Sequence, residues 1–203
     1  MTFGKFITLE GVDGAGKSTH LDFVATWLRQ QGREVIVTRE PGGTPLGETL
    51  RDLLLHRDMA ADTELLLMFA ARQEHLAALI LPALARGVWV LSDRFTDASY
   101  AYQCGGRGIA VERVAALEAW VQLGFKPDMT LLFDVTSEVA AARRSAARVA
   151  DRFEREADSF FNRVRNAYLD RARADPARIQ VVDASRSIDS IQSEIAQLLQ
   201  ALA

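Results

Sequence analysis

Lys17, Ser18 and Thr19 close the stretch LEGVDGAGKST, after Gly11, Gly14 and Gly16. Gly11, Gly16, Lys17 and Ser18 fit the spacing G-x-x-x-x-G-K-[ST]. Glycines there let backbone N–H groups turn inward with no side chain in the way, and inward N–H groups at a helix start attract phosphate oxygens. Lys17 is spaced to reach the β- and γ-phosphates of a nucleoside triphosphate, and Ser18 to ligate Mg²⁺. The alternative is a glycine-rich turn that binds nothing; the apolar run before it and the helical pattern after it favour the phosphate loop. Asp13 is out of character in an anion-binding loop. It either serves chemistry or holds another group, or it is a solvated loop residue.

Three further constellations sit where such a loop would need partners. In VLSDRF, Asp93 and Arg94 fall at the C-terminal end of an expected strand, the edge where open α/β sheets bind ligands. Asp93 suits a metal held through water and Arg94 an acceptor phosphate; a plain ion pair is the competing reading. The loop TREPGGTPLG follows another strand at the same edge. In MFAARQEH, Phe69 and Arg72 share a helical turn. Phe69 can stack on a base and Arg72 can donate to a base carbonyl, unless Phe69 is core and Arg72 a surface charge. RRSAARVADRFERE gathers Arg143, Arg144, Arg148, Arg152 and Arg155 with acidic neighbours. It reads as a salt-bridged helix face or as a lid that carries arginine to a transferred phosphate.

The elements that must position these residues alternate along the chain. Strands are expected at Lys5 to Glu10, Glu34 to Thr38, Val88 to Ser92, Met129 to Val135 and Ile179 to Val182. Helices are expected at Gly16 to Gln31, Leu46 to His56, from Asp62 as N-cap to Gly87 with a kink or break at Pro82, Val111 to Leu123, one capped by Ser137, Glu154 to Ala174, and Ile188 to Leu202. Strands separated by such helices imply right-handed βαβ units. The expected fold is α/β: a single three-layer αβα domain over residues 1–203, with a five-stranded parallel sheet and a lid at about 141–153.

Composition narrows the function. The 203 residues are 49% apolar and 25% charged, with a net charge of −3. That lacks the basic excess of a duplex-binding protein, so no nucleic acid is expected as a partner. The single cysteine, Cys104, cannot form an internal disulfide framework. With no leader pattern or membrane-length apolar run expected, the chain reads as reduced and cytoplasmic, with no membrane partner. A nucleotide-dependent switch is a weaker reading, since no N-K-x-D guanine-reading segment occurs.

Taken together, EGVDGAGKST, TREPGGT, LRDLLL, LMFAARQEH, DRFTDASYAYQ and DRFERE…FFNRVRNAYL resemble the bacterial thymidylate kinases, in family order over nearly the whole chain. The resemblance implies transfer of the γ-phosphoryl of Mg-ATP to dTMP by a homodimer. By this resemblance Gly11, Val12, Asp13, Gly14, Ala15, Gly16, Lys17, Ser18 and Thr19 hold ATP, and Ser18 and Asp93 lie at the metal. Asp13 lies beside the acceptor, Glu40 near the deoxyribose, and Arg51 and Arg94 on the dTMP phosphate. Phe69 stacks on thymine, Arg72 bonds its carbonyl edge, and Tyr102 and Gln103 line the pocket with Ser99.

Three positions depart from the family pattern. Ala98 takes the place where many relatives carry a pocket serine, with Ser99 one later. The lid reads one residue short, which makes Arg148 its arginine with Arg144 as the alternative. Ala15 stands where some relatives have a basic residue, so the resemblance is to the enterobacterial type, whose catalytic arginine comes from the lid. Lys17, Asp13, Arg94 and Arg148 are then the catalytic set.

Overall fold

The computed structural model describes residues 3–144, 152–153 and 156–202, with the Arg144 side chain outside that set. Arg148 and most of the expected lid lie outside the described residues.

Five strands form one sheet: β1 (Phe6–Glu10), β2 (Val35–Arg39), β3 (Trp89–Asp93), β4 (Met129–Asp134) and β5 (Ile179–Asp183). Their order is β2-β3-β1-β4-β5, and every pairing is parallel. Each expected strand is present with its ends moved by at most one residue. Central β1 is buried along its whole length, whereas edge strand β2 alternates between buried and exposed positions. A parallel sheet must be covered on both faces. Accordingly Ile7, Leu9 and Leu91 pack into one cluster with Val24, Ile195 and Leu199. Phe6 and Val90 point the other way, into a second cluster with Leu76, Ile80 and Leu84.

The helices are α1 (Lys17–Gln30), α2 (Pro45–His56), α3 (Ala61–His75), α4 (Leu81–Ala85), α5 (Thr96–Ser99), α6 (Val111–Gln122), α7 (Ser137–Arg144), α8 (Asp158–Ala174) and α9 (Ile188–Leu202). Three expectations are corrected. Asp62 is not the N-cap: Ala60 takes that place two residues earlier, and Asp62 pairs with Arg113 instead. Ser137 is the first residue of α7, and the Thr136 hydroxyl before it accepts from the Val139 N–H. Pro82 does not break the long helix. A π-helical turn at Leu76–Ile80 precedes it, which absorbs the missing N–H at the start of α4. The second π-helical segment, Tyr100–Gly106, gave no clear signal in the sequence. Residues 154–155 lie outside the described set, and the described α8 begins at Asp158.

Ala61–Ala85 is long and apolar enough to cross a bilayer by length and composition. It nevertheless buries Glu64 and Arg72 in ion pairs, and His75 in a hydrogen bond, with other elements, as a core helix would.

The topology points to one edge. The connection after β1 runs to β2 and the connection after β3 runs to β4, on opposite sides of their own pairing. Register sets Leu9 beside Asp93, so the segments that leave both strands open onto the same crevice.

Candidate active site

The phosphate loop turns straight out of β1. Gly11 has φ +133°, and a Cβ there would lie 2.4 Å from the Phe133 carbonyl oxygen, so only glycine fits. The loop ends at Gly16, the left-handed N-cap of α1. Lys17 is buried, and its ammonium donates to the carbonyls of Gly11 at 3.0 Å and Val12 at 3.2 Å. Val12 and Ala15 are buried against the core, whereas Ser18 and Thr19 are exposed at the first turn of α1.

Arg94 is the centre of the charged end. Its φ is +73°, a left-handed conformation that costs a non-glycine residue energy unless its surroundings impose it. Here they do. Its N–H donates to Leu9 O, its own carbonyl accepts from Ser92 Oγ, and the next N–H, of Phe95, donates to Glu10 Oε1 at 2.7 Å. The guanidinium then reaches Asp13 at 2.6 Å, the Tyr102 and Tyr168 hydroxyls at 3.0 Å each, and Gly11 O at 3.1 Å. Burial alone would raise the Asp13 carboxyl, but Arg94 and Lys17 outweigh it and hold Asp13 well below the usual carboxylate range. Asp13 is therefore ionised at neutral pH and is a poor proton acceptor. Burial keeps both tyrosine hydroxyls protonated.

A cleft of about 660 Å³, its open mouth included, extends from this network. That is an ordinary size for a nucleotide-scale ligand. Asp13, Arg51, Arg94 and Tyr102 line its charged end. Arg51 donates to Pro41 O at 2.9 Å. Burial, then the positive charges of Arg39 and Arg94, push its pKa down. Arginines arranged to repel one another mark a site for an anion.

Glu40, Arg72, Ser99 and Gln103 line the other end. Arg72 is fixed on nearly every side. Its Nε donates to Glu40 Oε2 at 2.8 Å, and Nη2 donates to Ser99 Oγ at 3.0 Å and Phe95 O at 3.2 Å. Its plane lies over the Phe69 ring at 4.6 Å and near Phe95 at 5.1 Å. Glu40 directly follows β2, and its bond to Pro41 is cis. Gln103 donates to Glu64 at 2.8 Å. The segment that carries Phe95 to Gln103 is pinned from behind, where buried Asp97 accepts from Arg178 at 2.7 Å and Arg171 at 2.9 Å.

Among the described residues most of those expected thus converge, but Phe69 does not. Phe69 is 2% exposed, packed with Leu65, Tyr100, Ile109 and Val114, and covered by Arg72. It supports Arg72 from outside the cleft; Met68, one residue earlier, is at the wall. Beside the expected Ser99, Ala98 also lines the cleft.

Sequence reasoning also missed other residues. Glu10 closes β1 fully buried; burial and then Asp97 push its carboxyl up to about 8. Its one visible signal is an acid at the end of an apolar strand. Tyr168 donates to Glu10 at 2.7 Å from 158 residues away, a contact no local pattern announces. Phe95 and Phe153 supply apolar walls. Phe153, from the edge of the lid segment, stacks edge-on against Tyr102 with centroids 5.9 Å apart. Its neighbour Arg152 donates to Leu54 O and pairs with Glu64 at 2.7 Å.

Among the described residues no three His, Cys, Asp or Glu side chains gather as a metal cluster. Magnesium that arrives with a nucleotide needs only one or two protein oxygens, since phosphates and water supply the rest. Asp93 fits, because its Oδ1 is buried with no hydrogen-bond partner, and the exposed Ser18 hydroxyl provides a second oxygen.

A phosphate loop beside a separate anion site, with a fixed donor farther along one cleft, defines a phosphotransferase that holds donor and acceptor side by side. Comparison with known proteins narrows this. Residues 9–195 match the family model described as thymidylate kinase. A thymidylate kinase of Thiobacillus denitrificans is 78% identical over 199 residues, 98% of each chain. One of Methylobacillus flagellatus is 59% identical over 97% of each. The crystal structure of a thymidylate kinase from Ehrlichia chaffeensis superposes with TM-score 0.80 at 33% identity, over 98% of this chain and 99% of that one. The chain belongs to the thymidylate kinase family.

Proposed function

We propose that this chain transfers the γ-phosphoryl of Mg-ATP to dTMP, giving dTDP and ADP. The observation that carries the reading is the Asp13–Arg94 pair, which stands between the phosphate loop and a cleft with a fixed base-reading arginine.

Gly11 to Thr19 cradle the ATP phosphates through backbone N–H groups and the start of α1. Lys17 exchanges its loop carbonyls for the β- and γ-oxygens. Ser18 and Asp93 would hold the magnesium, which would neutralise phosphate charge when bound. Arg51 and Arg94 take the dTMP phosphate, with Glu40 and Tyr102 beside the sugar and Arg72, Ser99 and Gln103 along the base. The acceptor is already an oxyanion near neutral pH, so no general base is needed. Asp13, kept ionised, positions Arg94 and the Tyr102 hydroxyl. A lid arginine, Arg148 with Arg144 as the alternative, completes charge neutralisation, consistent with uncharged Ala15 in the loop.

The enzyme works in the cytoplasm as a homodimer. Supporting the dimer, Leu66 on α3 and Val111, Trp120 and Leu123 on or beside the adjoining α6 are apolar and exposed. Neither nucleic acid nor membrane is a partner. ADP release from ATP that requires added dTMP tests the reading; release at the same rate without dTMP would overturn it.

A further inference from the structure

Behind Arg72, Glu40 is backed by two buried side chains, His75 and Thr38, that the reaction itself does not use. Glu40 accepts from Arg72 with one oxygen and from the Nδ1–H of His75 with the other, at 3.0 Å. On its far side, His75 Nε2 lies 2.7 Å from the Thr38 hydroxyl. His75 is 0% exposed, Glu40 4% and Thr38 9%. The three therefore run from β2, through α3, to the loop after β2, all out of water.

The loop is shaped around it. Gly43 has φ +79°, and a Cβ there would lie 2.4 Å from Thr38 Oγ1 and 2.6 Å from His75 Nε2. The backbone thus closes directly over the Thr38–His75 contact. The consequence appears at Arg72. Nε and Nη2 are committed, and Nη1 alone is buried with no hydrogen-bond partner. An arginine offers donors only. Held by Glu40 and stacked on Phe69, Arg72 is fixed at one place on the cleft wall.

We infer that His75 is a positioning residue for base selectivity: by orienting Glu40 it locks Arg72, so the free N–H groups meet a base carbonyl and reject a base with an amino group there. The inference rests on Arg72 reading the base, as proposed above. A donor aimed at a donor leaves both unpaired and desolvated, a discrimination larger than shape alone supplies. Without His75, Glu40 has one fixed partner fewer and Arg72 can rotate away from the amino group.

Steady-state kinetics with dTMP and dCMP on purified variants test this. His75→Leu should raise the KM for dTMP about tenfold and narrow the dTMP-over-dCMP preference in kcat/KM by about as much, with kcat and the KM for ATP within about twofold. His75→Asn keeps an amide donor toward Glu40 and should recover most of both losses. Thr38→Val should move the same ratio in the same direction by about threefold, and it carries the test if the leucine variant does not fold. An unchanged preference in either, or an asparagine variant as impaired as leucine, overturns the inference. Arg72→Lys separates the two layers. If it shifts the preference and His75→Leu does not, only the role of His75 fails. If it leaves the preference unchanged, the base-reading role fails and the inference with it.

Discussion

The two ends of the cleft are built on opposite plans. At the phosphate end, Arg94 bonds Asp13, Gly11, Tyr102, Tyr168, Leu9 and Ser92 through its side chain and backbone, and its backbone is held in a left-handed conformation by bonds on either side. At the base end, Arg72 sits in ordinary helix and is held by Glu40, Ser99 and an aromatic face. The first arrangement concentrates positive charge against the phosphate loop. The second fixes a single direction of donation. Electrostatic stabilisation acts on the rate, whereas a fixed donor acts on choice. Substitutions at the two ends should therefore separate in kcat and in specificity.

The largest effect is expected at the phosphate end. Arg94→Ala should lower kcat/KM for dTMP by about 10³-fold, because it removes the acceptor clamp and leaves Asp13 without its main partner. A loss below about tenfold would show that the network is only structural. Arg148→Ala should lower kcat by about 10²-fold or more with little change in the KM for dTMP. If kcat stays near wild type, Arg148 is not the lid arginine, and Arg144→Ala becomes the variant to measure.

At the base end, Arg72→Lys should cost about 10²-fold in kcat/KM for dTMP, mostly in KM, since an ammonium cannot replace three directed donors. Phe69→Leu should weaken dTMP binding by less than about tenfold, with some loss of stability, as expected for a ring behind Arg72 rather than on the base. An effect on KM as large as that of Arg72→Lys would return Phe69 to the base.

The smallest effect concerns stability. Folding raises the Glu10 carboxyl from 4.5 to about 8, chiefly by burial. Between those values the folded chain keeps a proton that the unfolded chain has released, so stability falls as pH rises through that window. The melting temperature should drop on the order of 5 °C from pH 6 to pH 8, and Glu10→Gln should flatten that slope. An equal slope in the variant would mean that Glu10 is ionised in the folded chain throughout.

Much of this arrangement was legible in the residues, for identifiable reasons. The five strands are short apolar runs between turn signals, and such runs have few other places to go. The phosphate loop is legible because Gly11 must approach the Phe133 backbone, a constraint that leaves its mark on residue type. Asp93, Arg94 and the TREPGGTPLG loop were placed at one edge because each stands at the C-terminal end of an expected strand in a parallel sheet. Contacts between distant segments were not legible: Tyr168 to Glu10, Arg178 to Asp97, and His75 to Thr38. Phe69 failed for a related reason. Helical spacing put it near Arg72, but which of Met68 and Phe69 faces the cleft depends on how α3 is turned against α6 and the sheet.

The central claim is that this cleft selects dTMP as the phosphoryl acceptor. It is tested most directly by kcat/KM for ATP-dependent phosphorylation of dTMP, dUMP, dCMP, dGMP and thymidine under one set of conditions. The account predicts the highest value for dTMP, with thymidine and dCMP the poorest acceptors, because one lacks the anion that Arg51 and Arg94 hold and the other presents a donor to Arg72. An equal or greater value for any other acceptor would contradict it.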